Sequence, residues 1–290
     1  MLASTVLYGL FGILSRTVQF TIPLFYQNWT RALVAAIIAY IFLKALRQQK
    51  PLRRRDLGWI IARTLAGNIA FLSFFVSIIN IPMGTAYFIF YGGSTIGGYL
   101  LGYLLFKERI TVIKGIALVL AMSGLSLIYS INITSFAPMY LLLGLIAGIG
   151  TAVWNIFSKK VSEYYSAIQL TFIDNLFSFI LYAVLSVVLH EAWMMPNLSA
   201  PWIASISLGI LFVATGQLVV YGFKHLDAQI GSLVMLAEIL FAILFGFIFY
   251  QESVRLLTLI GGICIVSAII LPEINITNIR RRNLMKKPMI

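Results

Sequence analysis

Long apolar runs that recur along this chain of 290 residues leave few folds open to it. A helix of about 20 mostly apolar residues is long enough to cross the roughly 30 Å hydrocarbon core of a bilayer. The run from Ile203 to Tyr221 is predominantly apolar at odd and even positions alike, whereas the strands of a membrane β-barrel alternate apolar and polar residues. The sequence therefore predicts transmembrane α-helices rather than a barrel.

Composition agrees with a membrane protein, because 61% of the residues are hydrophobic and only 10% are charged. A soluble domain of this length could not bury so much apolar surface in one core. Proline and charged residues divide the chain into ten predicted helices, which gives an all-α polytopic membrane protein. The predicted ranges are 2–20, 22–45, 57–79, 83–106, 111–131, 137–158, 165–189, 201–224, 228–250 and 254–271.

The positions of the basic residues predict the orientation of these helices. All but four of the 21 lysines and arginines fall in the loops of one side or in the tail, and the exceptions are Arg16, Arg31, Arg63 and Arg255. Short cytoplasmic loops carry an excess of lysine and arginine, so both termini are predicted to be cytoplasmic. The net charge of +12 then reflects topology and anionic lipid head groups rather than nucleic-acid binding.

An internal repeat links the two halves of the chain. Glu108 and Glu252 lie 144 positions apart, and at the same offset Gly102 corresponds to Gly246 and Phe106 to Tyr250. The predicted repeats cover residues 1–131 and 137–271 of one membrane domain, with a basic cytoplasmic tail at 272–290. Five helices per repeat would make the second copy enter the membrane inverted, as in many secondary transporters.

Several of these segments resemble the EamA-type transporters of the drug/metabolite transporter superfamily. Residues 228–271, with Glu238 in mid-helix and the Gln251-Glu252 pair, look like the closing segment of the family, and 84–129 look like its counterpart. The Trp29-Thr30-Arg31 stretch is similar to the family's second helix. The resemblance implies a ten-helix inverted-repeat carrier of amino acids or other small metabolites. Ile239 stands where many members have proline, so the sequence gives no proline-induced kink there.

Ionisable residues at membrane depth are costly and are candidates for function. Glu238 is expected near the midplane, where burial favours its protonated form, so it could carry a proton or meet a cationic group; the alternative is a protonated carboxyl bonded to a neighbouring helix. Arg31 and Asp174 either line a substrate path or form a buried ion pair between the repeats. Arg63 is expected to extend towards the membrane surface as an anchor.

Polar and aromatic side chains within the predicted helices complete the candidate substrate path. Individually they suit interhelical hydrogen bonds or interfacial anchoring, whereas together they suit a cavity for a small zwitterion or amine. They are Asn28, Trp29, Asn68, Tyr87, Tyr91, Trp154, Asn155, Asn175 and Gln217. Small-xxx-small glycine spacings, such as Gly93/Gly97 and Gly144/Gly148, predict close approaches of helices 4 and 6 to their neighbours.

These features predict a secondary transporter that moves a small polar metabolite across the cytoplasmic membrane by alternating access, with the proton as a candidate coupling ion. The alternatives are a non-transporting membrane scaffold and a membrane-embedded enzyme without a recognisable catalytic motif. Neither a catalytic residue nor a metal site or cofactor is expected. The expected partners are the lipid bilayer and a small-molecule substrate, a homodimer is compatible with the sequence, and nucleic acid is not expected.

Overall fold

A computed structural model describes residues 1–18, 21–129 and 138–285, with side chains described as far as residue 274. Within these ranges the chain is helical and contains no strand. Bilayer hydrocarbon offers no hydrogen bonds to the backbone, so a spanning segment must satisfy its peptide groups internally, as a helix does. The helices are α1 Leu2–Val18, α2 Leu24–Ala45, α3 Arg54–Asn80, α4 Met83–Phe106, α5 Val112–Tyr129, α6 Pro138–Val161, α7 Ala167–Val188, α8 Ala200–His225, α9 Ala228–Met235, α10 Ala237–Tyr250 and α11 Leu256–Met285.

The predicted all-α membrane fold is confirmed, and most helix ends lie within three residues of their predicted positions. Nine spans in the described ranges are long and apolar enough to cross a membrane, with α9 and α10 together forming one of them, and α1 is shorter at 17 residues. The chain is therefore a multi-pass membrane protein. Predicted residues 19–20, 130–131 and 137 and the end of the tail at 286–290 lie outside the described residues.

Proline residues mark where several helices begin, as the sequence predicted. Pro23 and Pro82 precede the first turns of α2 and α4, and α8 carries a proline in its first turn. A proline is tolerated there because the first backbone N–H groups of a helix have no intrahelical partner.

The two repeats end their fourth spans in the same local conformation. Lys107 after α4 and Gln251 after α10 both adopt the left-handed conformation, with φ of 54° and 55°. In both places the next residue donates its N–H back to a glycine carbonyl, from Glu108 to Gly102 at 3.1 Å and from Glu252 to Gly246 at 3.4 Å. These residues are related by the same offset of 144 that relates the sequences.

The ninth and tenth spans differ from their predicted form. The ninth is interrupted at Leu236, whose N–H bonds to the Leu233 carbonyl in a tighter turn, so an irregularity occurs without proline. The last helix was predicted to end at 271 but continues past Pro272 to Met285. A proline removes one backbone hydrogen bond and bends a helix without always ending it.

The described chain divides into two compact units, of which unit 1 comprises residues 1–68, 153–226 and 238–253. In this unit α2 packs against α7 and α8, and α1 packs against α8. Glu191, just after α7, accepts hydrogen bonds from the N–H groups of Phe25 and Tyr26 at the start of α2, at 2.9 and 2.6 Å. At the other end Gln169 in α7 bonds with Lys50 beyond α2. The two helices are therefore antiparallel.

Unit 2 comprises residues 69–152, 227–237 and 254–290, and glycines bring its helices together. A Cβ at Gly148 in α6 would lie 2.8 Å from the backbone nitrogen of Ser94 in α4, and one at Gly97 would lie 2.8 Å from the Ala152 Cβ. The predicted close approach of the fourth and sixth helices to their neighbours is confirmed. Gly124 in α5 and Gly261 in α11 likewise meet backbone to backbone.

Candidate functional site

Ten of the twelve predicted path residues belong to unit 1, and the other two, Tyr87 and Tyr91, belong to unit 2. The ten are Asn28, Trp29, Arg31, Asn68, Trp154, Asn155, Asp174, Asn175, Gln217 and Glu238. Unit 1 therefore contains all three charged residues that the sequence placed in the path, Arg31, Asp174 and Glu238.

The centre of unit 1 is a buried ion pair between Arg63 in α3 and Asp174 in α7, with Nη1 and Oδ1 2.5 Å apart. The Arg63 side chain is only 1% exposed and that of Asp174 13%. Arg63 Nε also donates to Ser158 Oγ at 2.6 Å. Asp174 accepts further hydrogen bonds from Thr64 Oγ1 at 2.8 Å and from Trp154 Nε1 at 2.9 Å. Both charges are thus compensated inside the protein, as burial at membrane depth requires.

Glycine makes this arrangement possible where α3 and α6 meet. A Cβ at Gly67, one turn after Arg63, would lie 2.9 Å from Cδ1 of the Trp154 indole. With only hydrogen at that position, the indole ring sits against the α3 backbone. There its Nε1 donates to Asp174, while its ring lies 5.3 Å from the Arg63 guanidinium carbon.

The structure contradicts the ion-pair alternative for Arg31 and Asp174, and the prediction for Arg63 was wrong. Asp174 pairs with Arg63 rather than with Arg31, and Arg63 is buried instead of extending to the membrane surface. The structural reason is that Arg63 has partners on two neighbouring helices, since Asp174 of α7 and Ser158 of α6 both lie within 2.6 Å of its guanidinium nitrogens.

Glu238 lies in the first turn of α10, just after the interruption at Leu236, and is partly buried. It follows the start of the ninth span by ten residues, or about 15 Å of rise. Tyr8 of α1 interacts electrostatically with Glu238, with Arg63 and with Asp174. One phenol hydroxyl is therefore within electrostatic range of both acids and of the buried arginine.

Arg31 on α2 is 8% exposed and has a different environment. Asn28, one turn earlier, accepts a short hydrogen bond from Arg31 Nη2, and its amide nitrogen donates to the Leu24 carbonyl at 2.8 Å. The Phe212 ring of α8 lies 5.7 Å from the guanidinium carbon. The buried Nε of Arg31 has no hydrogen-bond partner among the described residues.

The remaining polar candidates in unit 1 mostly bond within or between helices. Asn68 Nδ2 donates to the Thr64 carbonyl at 2.9 Å and its Oδ1 accepts from Ser178 Oγ at 3.0 Å. Asn175 Nδ2 and Gln217 Nε2 both bond to Thr171, at 2.8 and 2.9 Å. Asn68 and Gln217 therefore make interhelical hydrogen bonds, whereas Asn175 bonds within α7. Asn155 is 3% exposed and its Oδ1 has no partner within the described residues.

Tyr87 and Tyr91 form an aromatic cluster in unit 2. Their rings are near-parallel, with centroids 5.9 Å apart, and the ring of Tyr129 stacks on that of Tyr87 at 5.8 Å. The Phe74 ring packs edge-on against that of Tyr87, with the two ring centroids 5.2 Å apart. Such ring faces can receive a cation.

Glu108 and Glu252, which occupy equivalent positions in the repeats, bond differently. Glu108 accepts hydrogen bonds from the N–H groups of Ala228 and Gln229, at 2.7 and 3.1 Å, and so caps the start of α9. Glu252 instead pairs with Arg16 of α1 at 2.6 Å, where both side chains are about half exposed. The sequence identified this pair of glutamates but not their partners.

The sequence missed three residues around the buried ion pair: Tyr8, Thr64 and Ser158. Each is a small or aromatic hydroxyl residue inside an apolar helix, and such residues are common in membrane helices. They can be recognised as part of the site only once the positions of Arg63 and Asp174 in the structure are known. A search for hydroxyl residues next to a charged residue within a span would have found Thr64.

Comparisons with known proteins agree with this architecture. The profile of the EamA-like transporter family matches residues 1–130 and again residues 138–272. An uncharacterized transporter of Archaeoglobus fulgidus is 27% identical over 171 residues, which cover 58% of this chain and 59% of that protein. The pseudopaline exporter CntI of Pseudomonas aeruginosa is 20% identical over 266 residues, which cover 91% of this chain and 90% of the exporter.

A solved crystal structure has the same fold, with a TM-score of 0.78 over 95% of this chain and 96% of its own, at 16% identity. The two family matches together take in nearly the whole chain, including every residue of the buried ion pair and its surroundings. The chain therefore belongs to the EamA-like transporter family.

Proposed function

We propose that this transporter moves a small polar metabolite, such as an amino acid, an amine or a similar zwitterion, across the cytoplasmic membrane by alternating access, and that Glu238 carries a coupling proton. The observation that carries the proposal is the group of ionisable side chains in unit 1 at membrane depth. Four helices contribute to it: α1 through Tyr8, α3 through Arg63, α7 through Asp174 and α10 through Glu238.

The group divides naturally into a fixed part and a part that can change charge. Arg63 and Asp174 neutralise each other through a direct ion pair, so Arg63 cannot release a proton, and Asp174 cannot take one up, without leaving the other charge buried and unpaired. Glu238 lies outside that pair, so a change in its protonation state would not break the pair. A proton can therefore enter and leave at Glu238 while the ion pair holds α3 and α7 together.

The repeat supports alternating access. The family profile matches the chain twice, and α2 and α7, which correspond in the two repeats, are antiparallel in unit 1. Antiparallel pairing of corresponding helices is what an inverted repeat requires. Two inverted copies can exchange conformations and so open a midplane site to each side in turn.

The test is flux in proteoliposomes, measured for radiolabelled amino acids and for polyamines with and without an imposed pH gradient. We expect saturable flux that the gradient accelerates. Glu238→Gln keeps the size of the side chain but removes its proton, so flux should lose its response to the gradient. Glu252→Gln is the matched control, because Glu252 is half exposed and lies outside the ionisable group.

Two results would count against the proposal. A gradient response that survives in Glu238→Gln would exclude this residue as the proton carrier. An absence of flux for both substrate classes, in protein that unfolds cooperatively at the wild-type temperature, would exclude the proposed substrates.

A further inference from the structure

Arg31 is a buried cation for which the described part of the chain supplies no anion. Its residue surface is 8% exposed, and none of the ion pairs among the described residues includes it. Asn28 is its hydrogen-bonding neighbour, through a neutral amide oxygen. This differs from Arg63, which is still more deeply buried but is fully compensated by Asp174 and Ser158.

The groups around Arg31 cannot replace an anion. Phe212 presents a ring at 5.7 Å, which offers weak attraction for a cation. Tyr182 of α7 interacts with Arg31, but a phenol is neutral at physiological pH and contributes a dipole rather than a charge. A buried charge without a counter-ion is strongly destabilising. Arg31 therefore costs the fold stability unless an anion from outside the chain binds to it.

The orientation of the guanidinium indicates where that anion would bind. Asn28 and Arg31 are three residues apart and share a helix face. Asn28 is itself held by the Leu24 carbonyl, so it fixes Nη2 and leaves the buried Nε without an acceptor. A guanidinium offers its N–H groups in a planar fork that matches a carboxylate.

We propose that Arg31 binds the carboxylate group of the transported molecule, with Asn28 as the residue that positions its guanidinium. This inference rests on the proposed transport function and narrows its substrate class to molecules that carry a carboxylate. A lipid phosphate does not fit as well, because the side chain is enclosed by protein. The fold supplies a single guanidinium here, which suits the single charge of a carboxylate better than a phosphate dianion.

Trp29 is left out of this subsite. Its buried Nε1 also has no partner among the described residues, but residues two positions apart on a helix do not share a face. The ring of Trp29 packs with those of Tyr26, Phe179 and Trp193.

The first experiment compares the unliganded stability of two arginine variants in detergent. If Arg31 is uncompensated, Arg31→Gln removes a buried charge without leaving an opposite charge unpaired, and the glutamine amide can still donate to Asn28, so its unfolding midpoint should equal or exceed that of the wild type. Arg63→Gln is the matched control, because it leaves the Asp174 carboxylate buried without a counter-ion. This variant should unfold at a clearly lower temperature. Equal destabilisation of both variants would show that Arg31 is a structural cation and would overturn the proposal.

The second experiment uses benzoate, cyclohexylamine and phenyl phosphate as probes in the same thermal assay. We expect saturating benzoate to raise the midpoint of the wild type by about 2–4 °C, to raise that of Arg31→Lys by less, and to leave Arg31→Gln unchanged. Cyclohexylamine should have no effect that depends on Arg31. A benzoate effect of the same size in Arg31→Gln, no effect in the wild type, or a larger Arg31-dependent effect of phenyl phosphate would each overturn the carboxylate assignment.

Flux measurements separate this subsite from transport itself. If the benzoate shift requires Arg31 but no solute crosses the membrane, the subsite stands and the proposed transport function fails. If carboxylate-bearing solutes are transported equally by the wild type and by Arg31→Gln, transport stands and the subsite is overturned.

Discussion

At the scale of single residues, Asp174 is the acceptor on which the buried polar group depends. Its carboxylate accepts hydrogen bonds from Arg63, Thr64 and Trp154 on two other helices, with donor–acceptor distances of at most 2.9 Å. Because these donors come from α3 and α6, the carboxylate holds three helices of unit 1 together. Its contribution to stability should therefore be large.

Asp174→Asn should destabilise the protein by about 3–5 kcal/mol, because it leaves the Arg63 charge buried without a counter-ion. The unfolding midpoint in detergent should fall by roughly 10 °C. The double variant Asp174→Asn with Arg63→Gln should recover part of that loss, since neither charge is then left alone.

Glu252→Gln serves as the control for this measurement. Glu252 pairs with Arg16 at 2.6 Å and both side chains are about half exposed, and exposed ion pairs contribute about 0–1 kcal/mol. A fall for Asp174→Asn no larger than that for Glu252→Gln would contradict the central role of the buried pair.

The sequence identified the charged residues of unit 1 but not their pairing. Asp174 was a candidate because an acid inside an apolar run is costly wherever it pairs. Its partner could not be chosen, since Arg31 and Arg63 are both arginines in predicted helices and pairing depends on tertiary contacts more than 100 positions apart. Arg63 was predicted to extend to the surface because the contacts that hold it inside, to Asp174 and Ser158, come from other helices.

At the scale of helices, the clearest difference between the repeats is how the glutamate after each fourth span is used. Glu108 accepts two backbone N–H groups at the start of α9, and the side-chain amide of Gln229 donates to the Glu108 carbonyl at 3.2 Å. Carboxylates are favourable at helix N-termini, where they satisfy free N–H groups and interact with the helix dipole.

Glu108→Ala should therefore cost about 1–2 kcal/mol through loss of the cap, whereas Glu252→Ala should change stability by about 1 kcal/mol or less, as for other exposed ion pairs. Chemical denaturation in mixed micelles can compare the two free energies of unfolding. Because both substitutions remove the same side chain from equivalent positions, equal losses would show that capping of α9 is not what Glu108 contributes.

Helix positions were predicted well because their signals are local. Proline, charge and apolar length decide where a spanning helix begins and ends, and α4 was predicted to the residue. The interruption at Leu236 had no such signal, since neither proline nor glycine lies there. The continuation of α11 past Pro272 was missed because proline was treated as a stop, which it is only when the surrounding structure does not support the bend.

At the scale of the whole molecule, the distribution of basic residues predicts that both termini and the loop between α2 and α3 face the cytoplasm, and that the loop between α7 and α8 faces outwards. The inverted repeat depends on this arrangement, because copies with an odd number of spans must enter the membrane from opposite sides. Each loop offers an exposed position at which the arrangement can be measured: Gln48 in the first and Leu198, 93% exposed, in the second.

The measurement is cysteine labelling in whole cells with a maleimide that cannot cross the membrane, in a background where the single native cysteine is replaced by Cys264→Ser. Leu198→Cys should react in intact cells, and Gln48→Cys should react only after the membrane is permeabilised. Permeabilised cells control for local reactivity, since both cysteines should then label. The reverse pattern would place the basic loops outside and invert the proposed direction of every helix. Reaction of both cysteines in intact cells would put the two loops on one side and exclude an arrangement in which the five helices α3 to α7 all cross the bilayer between them.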